Sequence, residues 1–451
     1  MTIQIAPDQT ELAGPAAAGR VWHEGDAGFD VEVAGFNAAV RHRPHVVVGA
    51  ASPDDVAAAV RYARARGLHV AVQSTGHGAS AAVEGGVLVT TSRLDGLEID
   101  PVARTAAVEA GVRWSAVLDA AAAHGLTAVT GSAPSVGVVG LLLGGGAGPL
   151  GRTLGFASDR IRSLRIVTAD GELRDVDAVR DPELFWALRG GKRGLGIVTS
   201  VTLDLVELDE LIGGCLWFAA PDAERVVAAW AAESRDLPDA VTTSVAMLRL
   251  PPLPELPEPL RGQFVVQVRV AVVGDDDGGF VERMRALAPR IVDTVGLMPA
   301  RAIGDIHGDP SEPMPVWEGG ALLAGFDERA ATALVQAAGP QHQLPLAVVE
   351  IRRLGGRLRH APEGGDAVGG RDAEYSLFIV GAPVLELIDT VVPLVGGGVI
   401  AALRPWASGG TQANFHGAIT ADNPEARAWP EPVYARIQEI RRRVDPAGVF
   451  A

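Results

Sequence analysis

Three glycine-rich stretches inside residues 70–200 constrain this chain more than any other feature. They are Gln73-Ser-Thr-Gly-His-Gly-Ala79, Gly131-Ser-Ala-Pro-Ser-Val-Gly-Val-Val-Gly-Leu-Leu-Leu-Gly-Gly-Gly146 and Leu188-Arg-Gly-Gly-Lys-Arg-Gly-Leu-Gly-Ile197. Glycine lets backbone N–H groups approach an anion or a planar ring closely, because no Cβ intervenes. One such loop says little, since turns need glycine anyway. Three in succession point to a large phosphate-bearing ligand lying across the backbone. None opens a helix as G-x-G-x-x-G with an acid about 20 residues on, so a nicotinamide Rossmann site is not supported. No P-loop Lys-Ser/Thr pair and no metal-ligand spacing is present.

The 451 residues suggest about two or three domains at roughly 150 residues each. A hydrophobic fraction of 48% with 21% charged residues is enough for a large core and excludes global disorder. The formal charge of −16 argues against nucleic acid, which needs a basic stripe, and against docking on an anionic membrane. Cys215 is the single cysteine, so there is no internal disulfide and no thiolate metal site. We read it as a buried apolar residue. The N-terminus has no basic segment followed by an apolar run and does not read as a signal peptide. Residues 125–151 are interrupted by Gly, Pro, Ser and Thr, and 390–403 are too few to span a bilayer. A cytoplasmic protein with no nucleic-acid or membrane partner is expected, as a monomer or homodimer. Lys192 is the only lysine, which reads as a coding bias toward arginine.

Residues 1–40 read as an irregular arm. Regular units then follow: a strand at 45–49, a helix capped by Ser52-Pro-Asp-Asp55 and stopped at Gly67, and a strand at 70–73. Further strands are expected at 85–91 and 105–109, with a helix over 112–124. A hairpin turns at Asp170-Gly171, a short helix covers 182–189 and a strand 196–205. From residue 213 the texture changes to strands such as 215–218 and 264–272. These alternate with helices such as 221–234 and 279–287, which suits an antiparallel sheet with helices on one face. The tail is helical from 430 to 443.

These motifs together resemble the berberine-bridge-enzyme-like flavin oxidases, a branch of the vanillyl-alcohol-oxidase type with a PCMH-type FAD-binding domain. Arg43-Pro44 with the Ser-Pro-Asp-Asp-Val helix resembles the family's entry to that domain. Ser74-Thr-Gly-His-Gly78 resembles its pyrophosphate loop. Pro134-Ser-Val-Gly-Val-Val-Gly140 with Gly144, Gly145 and Gly146 resembles its loop over the flavin ring. Asp181 to Gly191 and Gly196-Ile-Val-Thr199 resemble its closing signature. Asn414-Phe415 and Asp445 to Phe450 resemble the return of the tail. The resemblance implies an α+β, two-domain fold. The FAD-binding domain would be 1–212, completed by 406–451. An antiparallel-sheet substrate domain covered by helices would be 213–405.

It also implies FAD attached at His77. Ser74, Thr75, Gly76, Gly78, Pro134, Val136, Gly137, Gly140, Gly144, Gly145, Gly196, Ile197, Val198, Asn414 and Phe415 would lie around the cofactor. Some members carry a second, cysteine link; Ala133 stands there, so one link is expected. Val136 falls where the family gates oxygen, and its modest size favours an oxidase. The third loop departs from the family's Gly-Gly-Gly-Gly-Asn-Phe-Gly. Gln412 and Phe378 stand at positions where many members carry polar acid–base groups, and both become candidates for the substrate pocket. A base is still needed to take a hydroxyl proton as hydride leaves carbon. His416, Tyr375 and Glu350 are the candidates, although pairing of Glu350 with Arg352 or Arg353 and core packing of Tyr375 are favoured. The implied function is oxidation of a small or medium organic substrate, a secondary metabolite or carbohydrate-like alcohol, with O2 as acceptor and H2O2 as product. A flavin-dependent cyclase, or a metabolite-binding flavoprotein without turnover, is the alternative.

Overall fold

The structure is a computed structural model that describes residues 19–450. The first eighteen residues of the expected arm, with the segment read for a signal peptide, lie outside the described residues. The rest of the arm is more regular than expected. Arg20–Trp22 pairs antiparallel with Val46–Gly49, and Phe29–Val33 is a short helix. Trp22, Phe29 and Val33 pack together on Val47 and Leu88. Segments this short carry too little periodicity to be read as elements, and their partners are distant in sequence.

The first sheet runs Arg20–Trp22, Val46–Gly49, Val87–Thr90, Val70–Gln73. The helix after Val46–Gly49 forms for the reasons its sequence states. Ser52 accepts from the Asp55 N–H, Pro53 opens the first turn, and Gly67 ends it at φ 64°. This helix buries Val56, Ala59, Val60 and Ala63 in one core with the second sheet. That sheet is wholly antiparallel, in the order Leu97–Asp100, Thr105–Glu109, Ile197–Asp204, Ile161–Val167, Leu173–Asp177. The Asp170-Gly171 hairpin is where the sequence put it. The tail helix Glu431–Val444 packs on Pro182–Leu188, and the Val70 N–H donates to the Val449 carbonyl, 2.7 Å away.

The third sheet is the frame of the second unit. Its order is Arg290–Asp293, Glu210–Ala219, Phe264–Val272, Val241–Arg249, Leu346–Arg353, Tyr375–Gly381, Glu318–Leu323. The first strand of this unit begins at Glu210, three residues before the change of texture at 213. Side chains alternate across each strand. One face carries Leu216, Val268, Val245, Ile351, Leu377 and Ala321 in register, and helices cover it. The opposite face carries Cys215, Arg269, Ser244, Arg352 and Ser376 in one row. Beside it runs a second row of Trp217, Gln267, Ala246, Glu350 and Phe378. Among the described residues, no helix is long and apolar enough to cross a membrane.

Arg152 ties the two units. Its side chain is 2% exposed and lies in the short helix Gly151–Leu154. Its guanidinium donates to the carbonyls of Val241 (2.7 Å), Leu237 (2.9 Å) and Leu354. Burial pulls its pKa down to about 10, still far above neutrality. Replacing Arg152 with Met strands these carbonyls in a dry interface. Each buried unsatisfied group costs about 1–3 kcal/mol. Arg152→Met is therefore expected to lower unfolding free energy by about 3 kcal/mol, read as an earlier midpoint in urea; an unchanged midpoint removes Arg152 from this role.

Candidate functional site

The strand Val70–Gln73 ends in the first glycine loop, which turns His77 inward. Gly76 has φ 74°, and an added Cβ would press on the Gly35 backbone, so only glycine lets the loop lie this close. Ser74 Oγ donates to the Ala110 carbonyl at 2.9 Å and pins the loop start. The His77 ring stacks on Phe36, with centroids 3.8 Å apart and planes 11° from parallel. Its Nδ1 lies 2.8 Å from Thr75 Oγ1 and its Nε2 3.1 Å from Ser135 Oγ. Burial, reinforced by Arg113, lowers its pKa to about 4. The imidazole is therefore neutral at physiological pH, one ring nitrogen donating to a hydroxyl and the other accepting from one. Added Cβ atoms at Gly78 and Gly140 would meet open space. The second loop completes the wall: Pro134 lies against Gly304, and Gly137 starts the short helix Val138–Leu142.

His77 and Gly78 line a cavity of about 870 Å³, shared with Lys192, Glu318, Asn414 and His416. Trp317 lines it as well. Lys192 Nζ donates to Asn414 Oδ1 at 2.7 Å and to the Ala413 carbonyl at 3.1 Å. Asn414 Nδ2 donates to the Leu141 carbonyl at 2.9 Å. The tail, the second loop and the third loop therefore meet at one amide. An added Cβ at Gly144 would overlap this Asn414 side chain. Lys192 holds a left-handed backbone, φ 61°, which is costly for a residue with a Cβ. Burial lowers the lysine to about 7 and raises Glu318 to about 7, and each opposes the other's shift by its charge.

The sequence-named residues divide by strand face. Phe378 lies on the polar face, 4.4 Å from the Phe415 ring, with the Arg352 guanidinium over Phe415 at 4.8 Å. Gln412 is buried near Ser376, and its Nε2 has no partner. Tyr375 points the other way. It sits among Trp230 and Phe326 in the helix-covered core, so strand alternation removes it from the cavity and from the role of base. His416 lines the cavity, but its Nδ1 is 2.7 Å from Thr411 Oγ1 and its Nε2 3.3 Å from the Asn423 carbonyl. With Nε2–H donating there and Nδ1 accepting from the threonine, neither nitrogen is left for a substrate proton.

Glu350 is 1% exposed and accepts from Ser244 Oγ (2.6 Å), Arg269 Nη1 (2.7 Å) and Arg352 Nε (2.9 Å). Although burial alone would raise it, Arg352 and Arg269 hold its pKa well below the usual carboxylate range, so it is a fixed anion rather than a base. Arg353, the other partner weighed from sequence, points to the helix side and pairs with Glu374 instead. Gly145 has φ 97°, Val136 is half-buried against the first core, and Gly196 packs on the Val167 carbonyl. Ile197 and Val198 bury their side chains in that core, leaving only backbone for a ligand. Cys215 is buried as expected, but not in apolar surroundings. Its Sγ accepts from Trp217 Nε1 at 2.9 Å and Gln267 Nε2 at 3.0 Å, because it falls on the polar face.

Sequence reasoning missed Glu318, which lines the cavity, and Arg269, which strand pairing brings beside Glu350. It also passed over Lys192, whose singularity in the composition was a signal with a structural meaning.

Residues 44–177 match a family model described as an FAD binding domain. The (R)-6-hydroxynicotine oxidase of Paenarthrobacter nicotinovorans is 36% identical over 219 residues, 48% of each chain. The chain thus spans about half the length of this curated relative. The solved structure of 6-hydroxy-D-nicotine oxidase from Arthrobacter nicotinovorans superposes with a TM-score of 0.84 over 98% of both chains, at 24% identity. Glucooligosaccharide oxidase from Acremonium strictum, which has a 6-S-cysteinyl, 8α-N1-histidyl FAD, superposes with a TM-score of 0.81 over 96% of each chain at 17% identity. The fold is that of these PCMH-type FAD-binding proteins, and FAD is the cofactor whose domain the chain carries. The glycine cradle, with open space at Gly78 and Gly140, fits it.

As pH rises through about 7, Lys192 loses its positive charge and Glu318 gains a negative one. Sulfite, an anion that bleaches oxidised flavin, is expected to bind the FAD-loaded protein more weakly across that range. In Lys192→Met its affinity at pH 6 is expected to fall about tenfold, about 1.4 kcal/mol. A titration by flavin absorbance checks both.

Proposed function

We propose that this chain, a PCMH-type FAD protein of the berberine-bridge-enzyme-like group, is an FAD-linked oxidase that holds its cofactor covalently through His77. The observation that carries this reading is a neutral imidazole in the wall of a glycine-lined cavity, braced by Thr75, Ser135 and Phe36. A C–N bond to a flavin methyl carbon requires an unprotonated ring nitrogen, and the pKa of about 4 supplies one at any pH the cell reaches. Ala133, where some relatives place a second linking cysteine, supports a single attachment.

Bound FAD supplies the hydride acceptor and returns its electrons to O2, giving H2O2. This chain's own residues bind, orient and exclude water. The loops at 74–79 and 131–146 hold the cofactor by backbone. Lys192, through Asn414, fixes the tail against the second loop and sets the charge in the cavity. The polar face of the large sheet, with Phe378 and Phe415, receives the substrate. The substrate class is a small or medium organic molecule whose reacting carbon bears a hydroxyl or amine, such as a secondary metabolite or carbohydrate-like alcohol.

Acid precipitation tests the attachment. The wild-type pellet is expected to stay yellow, and the His77→Ala pellet to be colourless with any flavin in the supernatant. A wild-type protein that releases all its flavin makes His77 a binding residue only. Turnover is tested by anaerobic bleaching with a panel of alcohols and cyclic amines, followed by peroxide measurement after oxygen is admitted.

A further inference from the structure

A second cavity, of about 410 Å³, opens between the loop at 147–149 and the polar face of the large sheet. Ser244, Arg269, Arg352 and His307 line it. His307 arrives from the segment Ala300–Ile306, which rests on Pro134 of the second glycine loop through Gly304. Its N–H bonds back to the Gly304 carbonyl at 3.2 Å, so the backbone holds the ring in place. The side chain is 7% exposed, and its Nε2 lies 3.4 Å from Glu350 Oε1.

That carboxylate is ionised and can only accept, so the proton of the neutral imidazole resides on Nε2. Nδ1 is left as a bare lone pair. It is buried and has no partner. Buried polar atoms without partners are rare, and an orphaned nitrogen on a residue that lines a cavity is where a donor arriving from outside would pair. The complementary group is an O–H or N–H. Arg352 also reaches across to Phe415, the chain neighbour of Asn414, which lines the first cavity.

We propose that His307 is the proton acceptor of the reaction, taking the substrate's O–H or N–H proton on Nδ1, and that Glu350 is the positioning residue that fixes its tautomer. The step rests on the FAD-linked oxidase reading and balances within it. The X–H bond of the substrate breaks with its electrons left on X, which form the C=X bond. The hydrogen on the adjacent carbon would leave with its bonding pair, for which FAD, when bound, would supply the acceptor. The proton stays on His307 until water removes it. The base that the sequence did not reveal is thus on a loop between strands.

Burial holds the His307 pKa below its ordinary 6.5, with Arg269 and Arg352 acting in the same direction and Glu350 opposing them. The neutral form is the competent one. The rate is therefore expected to be full at neutral pH and to fall as pH drops through that lowered value.

The test is anaerobic flavin reduction in the FAD-loaded full chain, with the alcohol and cyclic-amine panel, across pH 5 to 9. His307→Ala is expected to retain the flavin spectrum, slow reduction roughly 10²–10⁴-fold and lose the acid limb. Added imidazole is expected to restore part of the rate. Should that variant lose FAD, His307→Asn, which keeps an N–H for Glu350 but has no basic nitrogen, takes its place with the same expectation. A wild type that is bleached while the variant matches its rate and pH profile overturns the proposal. So does slowing that keeps the acid limb and ignores imidazole. A wild type that nothing in the panel bleaches overturns the oxidase reading, and this step with it.

Discussion

One buried carboxylate organises the floor of the site. Glu350 lies in the middle of the large sheet, away from water, where an unpaired anion would cost several kcal/mol. It persists because Ser244, Arg269 and Arg352 converge on it from its own and neighbouring strands, with the His307 ring edge at 3.4 Å. Each partner is thereby held in one geometry. Arg269 is further fixed by Gln267, whose amide also reaches the Cys215 sulfur, so the network extends across the face to the strand Glu210–Ala219. A sheet with aliphatic residues on both faces would be easier to stabilise. This one accepts a polar face because its charged and polar groups pair with one another and the loop at 147–149 lies against it.

The two units meet through contacts that make their relative placement part of the chemistry. Arg152 anchors the FAD-binding unit to three carbonyls of the other unit. Gly304 against Pro134 lets the segment carrying His307 lie directly on the ring-side loop, where a side chain would not fit. On the opposite side, Asn414 accepts from Lys192 and donates to Leu141, closing the tail over the first cavity. Lys192 does this from a left-handed backbone that glycine would adopt without strain. A lysine kept in such a position, its pKa lowered to about 7 by burial, has the character of a functional residue rather than a filler.

The division of labour between the units follows from their secondary structure. Loops between short strands in the FAD-binding unit supply backbone and glycine, which suit a large cofactor with phosphates. Long paired strands in the second unit supply side chains in fixed rows, which suit discrimination of a substrate. On the proposed reading the reacting centre lies between them, at a seam, where ligand sites commonly lie.

The sequence by itself determined the FAD-binding unit. Its helix caps, Asp-Gly hairpin and glycine loops are local signals, each written within a few residues, and they sufficed to single out His77 and Asn414, which line one cavity. The tertiary structure alone decided which acid–base groups face that cavity. Whether Tyr375 or its neighbour Ser376 lies on the polar face depends on strand register, which no local pattern reveals when both faces are buried. Glu350 reads as a candidate base until Arg269, some eighty residues distant in the chain, is seen beside it. His416 reads as free until Thr411 and Asn423 close on its two nitrogens. His307 carries no motif at all, because what distinguishes it is a carboxylate on one side and an unfilled cavity on the other. Both are properties of packing, and packing is settled only when the whole chain has folded.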